Sequence, residues 1–194
     1  MRGSVNYRND RTVFLSTDFQ NLGRPNQFVH AAGGKVQLVF DNTLLRGLNL
    51  FNGTRGKCWA EYLTDPFEED ADTYVLGMDW RTYVPIWREI IAAFRVSGST
   101  SFGGRKLVFY LGGVDNWLFQ RVDNSTEIAQ DQGYFYQALA APMRGFWVNA
   151  RNGNSFGLAN AELRVPVFKT LMRKPIQSDF AENFQVVGLS LIHI

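Results

Sequence analysis

Thr73-Tyr74-Val75-Leu76-Gly77-Met78-Asp79-Trp80-Arg81-Thr82-Tyr83-Val84 is the stretch on which the fold turns. Tyr74, Leu76, Met78, Trp80 and Val84 fall on one side of a period of two, and Asp79, Arg81 and Tyr83 on the other. Successive side chains of a strand point to opposite faces, so this is a ribbon with one large apolar face and one charged face.

The same period spreads outward from this stretch. In Lys35–Thr43, Lys35, Gln37, Asp41 and Thr43 oppose Val36, Leu38 and Phe40. In Glu89–Ser99, Glu89, Arg95, Ser97 and Ser99 oppose Ile90, Ala92, Phe94 and Val96. In Ala159–Val167, Asn160, Glu162 and Arg164 oppose Ala161, Leu163, Val165 and Val167. Less regular strands are expected at Arg11–Phe19, Arg55–Leu63, Arg105–Leu111 and Phe184–Gly188, and Met1–Tyr7 already reads as a strand in progress. Turn chemistry separates the ribbons at Gly33-Gly34, Asn52-Gly53, Asp65-Pro66, Gly103-Gly104, Asn152-Gly153 and Lys174-Pro175. The expected class is all-β, a meander of antiparallel strands. Ile86, Ile90, Ile91 and Phe94 also fit a short helical face, but the alternation runs on unbroken through Arg95–Ser99 and favours strand. A short helix fits within Ala129–Ala141 as well.

Bulk properties narrow the function. No run of about 18 apolar residues exists, which excludes a transmembrane helix but not a transmembrane strand, since a strand needs only about 9–11 residues, half of them polar. The net charge of +2 comes from 20 basic and 18 acidic residues mixed along the chain, which points to no nucleic-acid partner. Cys58 is the single cysteine, and His30 and His193 stand far apart, so no disulfide, metal centre, cofactor site or catalytic triad is indicated. The reading is of a protein that is not an enzyme. Aromatic residues reach 14%, enough to furnish the interface girdles of a membrane barrel, with Trp80, Tyr83, Trp87 and Trp147 as candidates. Alternation does not say which face lies inside, so a soluble ligand-binding barrel and a membrane barrel both remain open on the pattern alone.

A set of ordered motifs adds to this. Met143-Arg144-Gly145-Phe146 is followed by Gly153-Asn154 and then by Asn160-Ala161-Glu162-Leu163-Arg164-Val165-Pro166. Upstream lie Val39-Phe40-Asp41-Asn42-Thr43, Gly53-Thr54-Arg55, Asp79-x-Arg81-x-Tyr83-Val84-Pro85-Ile86 and Phe109-Tyr110-Leu111-Gly112-Gly113. Together, over residues 30 to 188, they resemble the bacterial surface antigen family, the BamA- and TamA-type barrels of the outer membrane. The sequence departs from that pattern by the insert Val114–Met143 between the double glycine and Arg144.

The resemblance implies a partial transmembrane barrel over residues 1–188, with roughly eight or nine strands of a larger one. Its implied function is insertion or translocation of polypeptides at the bacterial outer membrane. The implied partners are outer-membrane lipid, unfolded or translocating polypeptide clients, and periplasmic domains of the same full-length protein. A porin-like or merely structural barrel is the alternative. Residues 189–194 match the translation of a transposon-end sequencing adaptor and are expected to be a scar.

In the family, the apolar-Arg-Gly-aromatic tetrapeptide sits on a loop that folds back into the barrel. Met143, Arg144, Gly145 and Phe146 are the corresponding positions, with Arg144 expected to pair with an acidic residue of the inner wall. The acids available for that are Glu162 and Asp79. Asp79, Arg81, Arg95, Glu162 and Arg164 are expected to line the lumen, and Leu76, Met78, Leu163 and Val165 to face lipid.

Overall fold

A computed structural model of the chain describes residues 1–12, 27–113, 119, 121–123, 125–126, 134–141, 143, 146–172 and 177–193. In chain order the strands are β1 (Arg2–Thr12), β2 (Gln27–Asp41), β3 (Leu44–Gly47), β4 (Leu50–Thr64), β5 (Thr73–Trp87) and β6 (Ile90–Gly103). Then come β7 (Lys106–Leu111), β8 (Tyr134–Ala141), β9 (Arg151–Gly153) and β10 (Ser155–Pro166). Two short helices, α1 (Val167–Leu171) and α2 (Asp179–Asn183), precede β11 (Gln185–His193).

The protein is all-β and mostly antiparallel. The main sheet has eight strands in the order β1-β2-β4-β5-β6-β10-β11, with β3 added on β4, and it is not closed. β1 pairs with β2 from Arg2↔Gln37 to Thr12↔Gln27, and β10 with β11 from Leu158↔His193 to Pro166↔Gln185. The boundary expected at Gly188 therefore falls inside a paired strand.

Most of the strand alternation appears as read, although Val167 opens α1 rather than extending β10 and Ala92 is buried; Ile90–Phe94 belongs to β6 rather than to a helix. β5 takes most of its residues from the β-branched and aromatic types that suit a pleated surface. Its hairpin with β6 turns on Arg88, which adopts a left-handed φ of 49°. That conformation costs an L-residue about 1–2 kcal/mol. The Arg88 Nη1 donates to Thr170 O at 2.6 Å, a charge-assisted bond that offsets part of the cost.

Several expectations need correction, among them the turn at Asn152-Gly153, which lies inside β9. Gly33-Gly34 is not a turn but lies inside β2, where a Cβ on Gly33 would stand 2.0 Å from Tyr62 O. Close approach of two backbones, not reversal of the chain, demands glycine there. Asn52-Gly53 likewise lies inside β4; the reversal comes earlier, where Gly47 pairs with Leu50 around Leu48 and Asn49. Nor does the meander continue through β7. That strand forms a second sheet, in the order β8-β7-β9, and its pairing with β8 is parallel. Leu107, Val108, Phe109 and Leu111 are all buried, so β7 is covered on both faces, as its continuous apolar run requires. The short helix expected within 129–141 is not seen at Tyr134–Ala141, which is β8. Residues 13–19 and Lys174-Pro175 lie outside the described residues.

The chain divides into two compact units. The first comprises Met1–Gln37, Trp59–Leu76 and Thr100–Ser155, and its core gathers Leu63, Val75, Leu107, Val108, Phe135 and Met143. The second comprises Leu38–Cys58, Gly77–Ser99 and Phe156–Ile194, with Leu50, Tyr83, Ile91 and Ala93 packed together and Phe51 against them. Full burial of a Leu or Ile side chain contributes roughly 1.5–3 kcal/mol. On the other face of the second unit Trp80 lies over Gly56, where a Cβ would meet Trp80 Cε3 at 2.2 Å, and stacks on Phe40 with centroids 6.1 Å apart.

Candidate functional site

Facing is the property that distinguishes this sheet. On β5, Leu76 is 47% exposed and Met78 42%, while Asp79 between Met78 and Trp80 is 6% exposed. Trp80 and Val84 are exposed as well, and Tyr83 is buried. β6 repeats the arrangement: Phe94, Val96 and Phe102 are exposed, and Ser97, Ser99 and Ser101 are buried. On β10 Leu163 is exposed and Val165 half-buried, while the side chains of Glu162 and Arg164 are 13% and 15% exposed. The apolar side chains face outward and the charges are enclosed.

The enclosed face of the second unit is built around one carboxylate. Arg81 donates from Nε to Asp79 Oδ1 and from Nη2 to Oδ2, both at 3.0 Å. Arg95 reaches the same two oxygens from the next strand, at 3.2 and 2.7 Å. Asp79 is thus gripped by two planar forks, the strongest geometry available to a carboxylate. Arg164 donates from Nε and Nη2 to Glu162 Oε2 at 3.1 and 2.7 Å, and from Nη1 to Asn49 O. The Arg164 and Arg55 guanidinium carbons are 5.6 and 5.9 Å from the Tyr83 ring centroid, and Arg55 is also 5.6 Å from the Phe51 centroid. These distances fit cation–π contact.

In the first unit the enclosed face carries Lys35, paired with Glu61 at 3.1 Å and lying 5.5 Å from the Trp59 ring. Asp65 is buried and accepts from His30 N at 3.2 Å and Phe67 N at 3.0 Å, with Arg105 Nη1 at 3.8 Å. Arg105 also pairs with Glu68 and lies over Phe135.

The loop motif is anchored in the first unit at both flanking residues. Met143 has no exposed surface, its N donates to Gly113 O at 2.9 Å, and Gly113 N donates back to Phe146 O at 2.9 Å. Beyond it, Val148 N donates to Arg121 O and Asp123 N to Val148 O, while Asn149 Nδ2 donates to the carbonyls of Asp123 and Thr126. Ser125 donates to Asp123 through its hydroxyl and its backbone N–H and holds that loop carboxyl below its usual range.

Of the residues singled out from sequence, Asp79, Arg81 and Arg95 form one cluster, and Glu162 and Arg164 form a pair. Arg144 and Gly145 lie outside the described residues. The two acids named as its possible partners already hold other arginines. Tyr83 is corrected from girdle to interior: it shares the Asp79 face, and it is buried near two guanidiniums. Arg55 entered only through the Gly53-Thr54-Arg55 motif and the expected strand Arg55–Leu63, not among the lumen-wall residues. Its contact with the Tyr83 ring joins residues remote in sequence, which periodicity does not reveal.

Among the described residues no three potential metal ligands converge, and no helix is long and apolar enough to cross a membrane. Comparison with family models, with curated proteins and with solved structures finds no match.

Proposed function

We propose that this chain forms part of a bacterial outer-membrane β-barrel of the surface antigen type, acting in the insertion or translocation of polypeptides. The observation that supports a membrane setting is the inverted polarity of β5, β6 and β10. In water, each half-exposed Leu, Met, Phe or Val forfeits part of the roughly 1.5–3 kcal/mol that full burial contributes, and a contiguous patch of them invites aggregation. Against lipid the same face is at home, and a polar interior is what such barrels carry. A soluble barrel would place the Asp79, Arg81, Glu162 and Arg164 charges outward.

Strand length supports the same setting. β4 and β5 have 15 residues each, whereas about 9–11 span a bilayer and soluble strands are commonly about 5–6. An open sheet in hydrocarbon would leave backbone groups unpaired, so the barrel reading requires further strands to close it. Insertion or translocation rests on the motif resemblance around Met143–Phe146 and Asn160–Pro166.

Two measurements test the two halves of this reading. Cys58 is exposed and two residues from Gly56, on the outward face. A fluorophore on Cys58 of the full-length protein in vesicles should be quenched by lipids brominated along their chains. Full fluorescence there, with quenching by an aqueous quencher, would place the face in water and remove the membrane reading. For the activity, Arg144→Ala in the full-length protein should lower the steady-state amounts of other outer-membrane barrels, and Arg144→Lys should restore them only in part, because a point charge does not reproduce a planar fork. Unchanged barrel levels in Arg144→Ala, and on depletion of the protein, would leave a structural or porin-like barrel.

A further inference from the structure

A strip of aromatic rings crosses the outward face of the first unit near one end of its strands. Tyr62 on β4, Tyr74 on β5 and Phe102 on β6 are all exposed. Their rings follow one another, with centroids 5.2 Å apart from Tyr62 to Tyr74 and 5.7 Å from Tyr74 to Phe102. Three neighbouring strands therefore hold aromatic side chains at one level. None of the three is among the girdle candidates read from the sequence.

Polarity changes across this strip within a few residues. On β5 the next outward residue is Leu76, apolar and half-exposed. On the other side, the connection from β4 to β5 exposes Glu68, Glu69, Asp70 and Asp72. Tyr62 turns its hydroxyl to that side and donates to Asp72 Oδ1 at 2.7 Å. Gly104 N donates to Asp72 O at 2.8 Å, which holds the connection against the end of β6. Carboxylates are costly to place in hydrocarbon, and contiguous exposed rings are costly to leave in water. A layer between the two suits side chains with an apolar body and a polar tip.

We infer that the Tyr62–Tyr74–Phe102 strip docks against the headgroup and ester layer of the bilayer, and so marks where the outward face leaves hydrocarbon. The inference rests on the membrane setting proposed above and adds its level along the strands. A protein seated on the strip would crowd the exposed carboxylates beside it, whereas the headgroup layer leaves them in water.

The test is depth measurement by spin labels in the full-length protein, folded into vesicles of phosphatidylcholine and phosphatidylglycerol. In a background freed of reactive thiol by Cys58→Ser, the variants Tyr74→Cys, Phe102→Cys, Met78→Cys and Glu69→Cys each carry one nitroxide. Collision rates with oxygen, which prefers hydrocarbon, and with a water-soluble nickel chelate give the depth of each label. Labels at 74 and 102 are expected at one depth, level with the ester groups. The label at 78 is four residues further along β5, ~14 Å along the strand and ~10 Å deeper at a tilt of about 45°. The label at 69 is expected in water.

Provided the label at 78 lies in hydrocarbon, two results overturn the inference and leave the membrane reading standing. One is labels at 74 and 102 as deep as that at 78, or as open to the chelate as that at 69. The other is labels at 74 and 102 shielded from both agents, which would mean that a protein covers the strip. A label at 78 in water removes the membrane reading, and the inference with it. Should Tyr74→Cys or Phe102→Cys fail to fold, Tyr62→Cys samples the same level.

Discussion

Asp79→Ala in the full-length protein is expected to lower the unfolding free energy by about 3–5 kcal/mol, the cost of leaving enclosed charges without their partner. The size follows from the arrangement. One carboxylate satisfies two arginines, Arg81 and Arg95, through four N–H···O contacts of 2.7 to 3.2 Å. Without it, two like charges face each other across neighbouring strands, Arg95 largely and Arg81 partly shielded from water. Asp79→Asn should recover only part of the loss, since an amide keeps one acceptor oxygen and brings its own donors. Replacing Asp79 and Arg95 together should cost less than Asp79→Ala alone, because the second change removes one of the orphaned charges. The check is a urea or guanidinium unfolding series in micelles on the three variants. A loss below about 1 kcal/mol for Asp79→Ala, the level of a surface pair, would mean that the cluster is bathed in water and holds nothing together.

Met78→Arg probes the opposite face of the same strand, and its sign separates two solvents. Met78 is half-exposed, directly before Asp79. If its surroundings are water, an arginine there should change stability by no more than about 0.5 kcal/mol. If they are hydrocarbon, the same change should cost about 2–4 kcal/mol near the bilayer midplane and less toward either interface. Leu163→Arg on β10 gives a second sample of the outward face. Equilibrium folding into vesicles of defined thickness measures both. A neutral result at both positions would contradict a lipid-facing surface.

Much of the main sheet was legible in the sequence, for a physical reason. β5 alternates through most of Thr73–Val84, so one misplaced residue does not erase the period, and its facing follows from the period once either face is placed. β7 was legible as a strand but not as a member of a second sheet, because periodicity describes the two faces of a ribbon and says nothing about which ribbon lies beside it. The glycine pair at Gly33 shows a related limit. A turn and a close backbone approach make the same demand on the residue, and only the position of Tyr62 O separates them. Within the site, Asp79, Arg81 and Arg95 could be placed on one face by counting, but that both arginines share one carboxylate could not. The approach of Arg55 to Tyr83 depends on a contact between strands whose register no local pattern fixes.

The junction where β6 ends and β10 begins has a bearing on how this protein can vary. Ser101 N donates to Asn154 O at 2.9 Å, Asn154 Nδ2 donates to Ser101 O at 3.2 Å, and the Thr100 and Ser155 hydroxyls meet at 2.7 Å. Ser101 Oγ accepts from Leu107 N at 3.0 Å as the chain departs. The two strands are thus buckled together at the point where everything from Gly104 to Gly153 leaves and returns. Lengthening such a detour adds closure entropy only as the logarithm of its length, about 0.6 kcal/mol per doubling. The buckle therefore lets this stretch be lengthened or shortened at small cost while β6 and β10 keep their partnership.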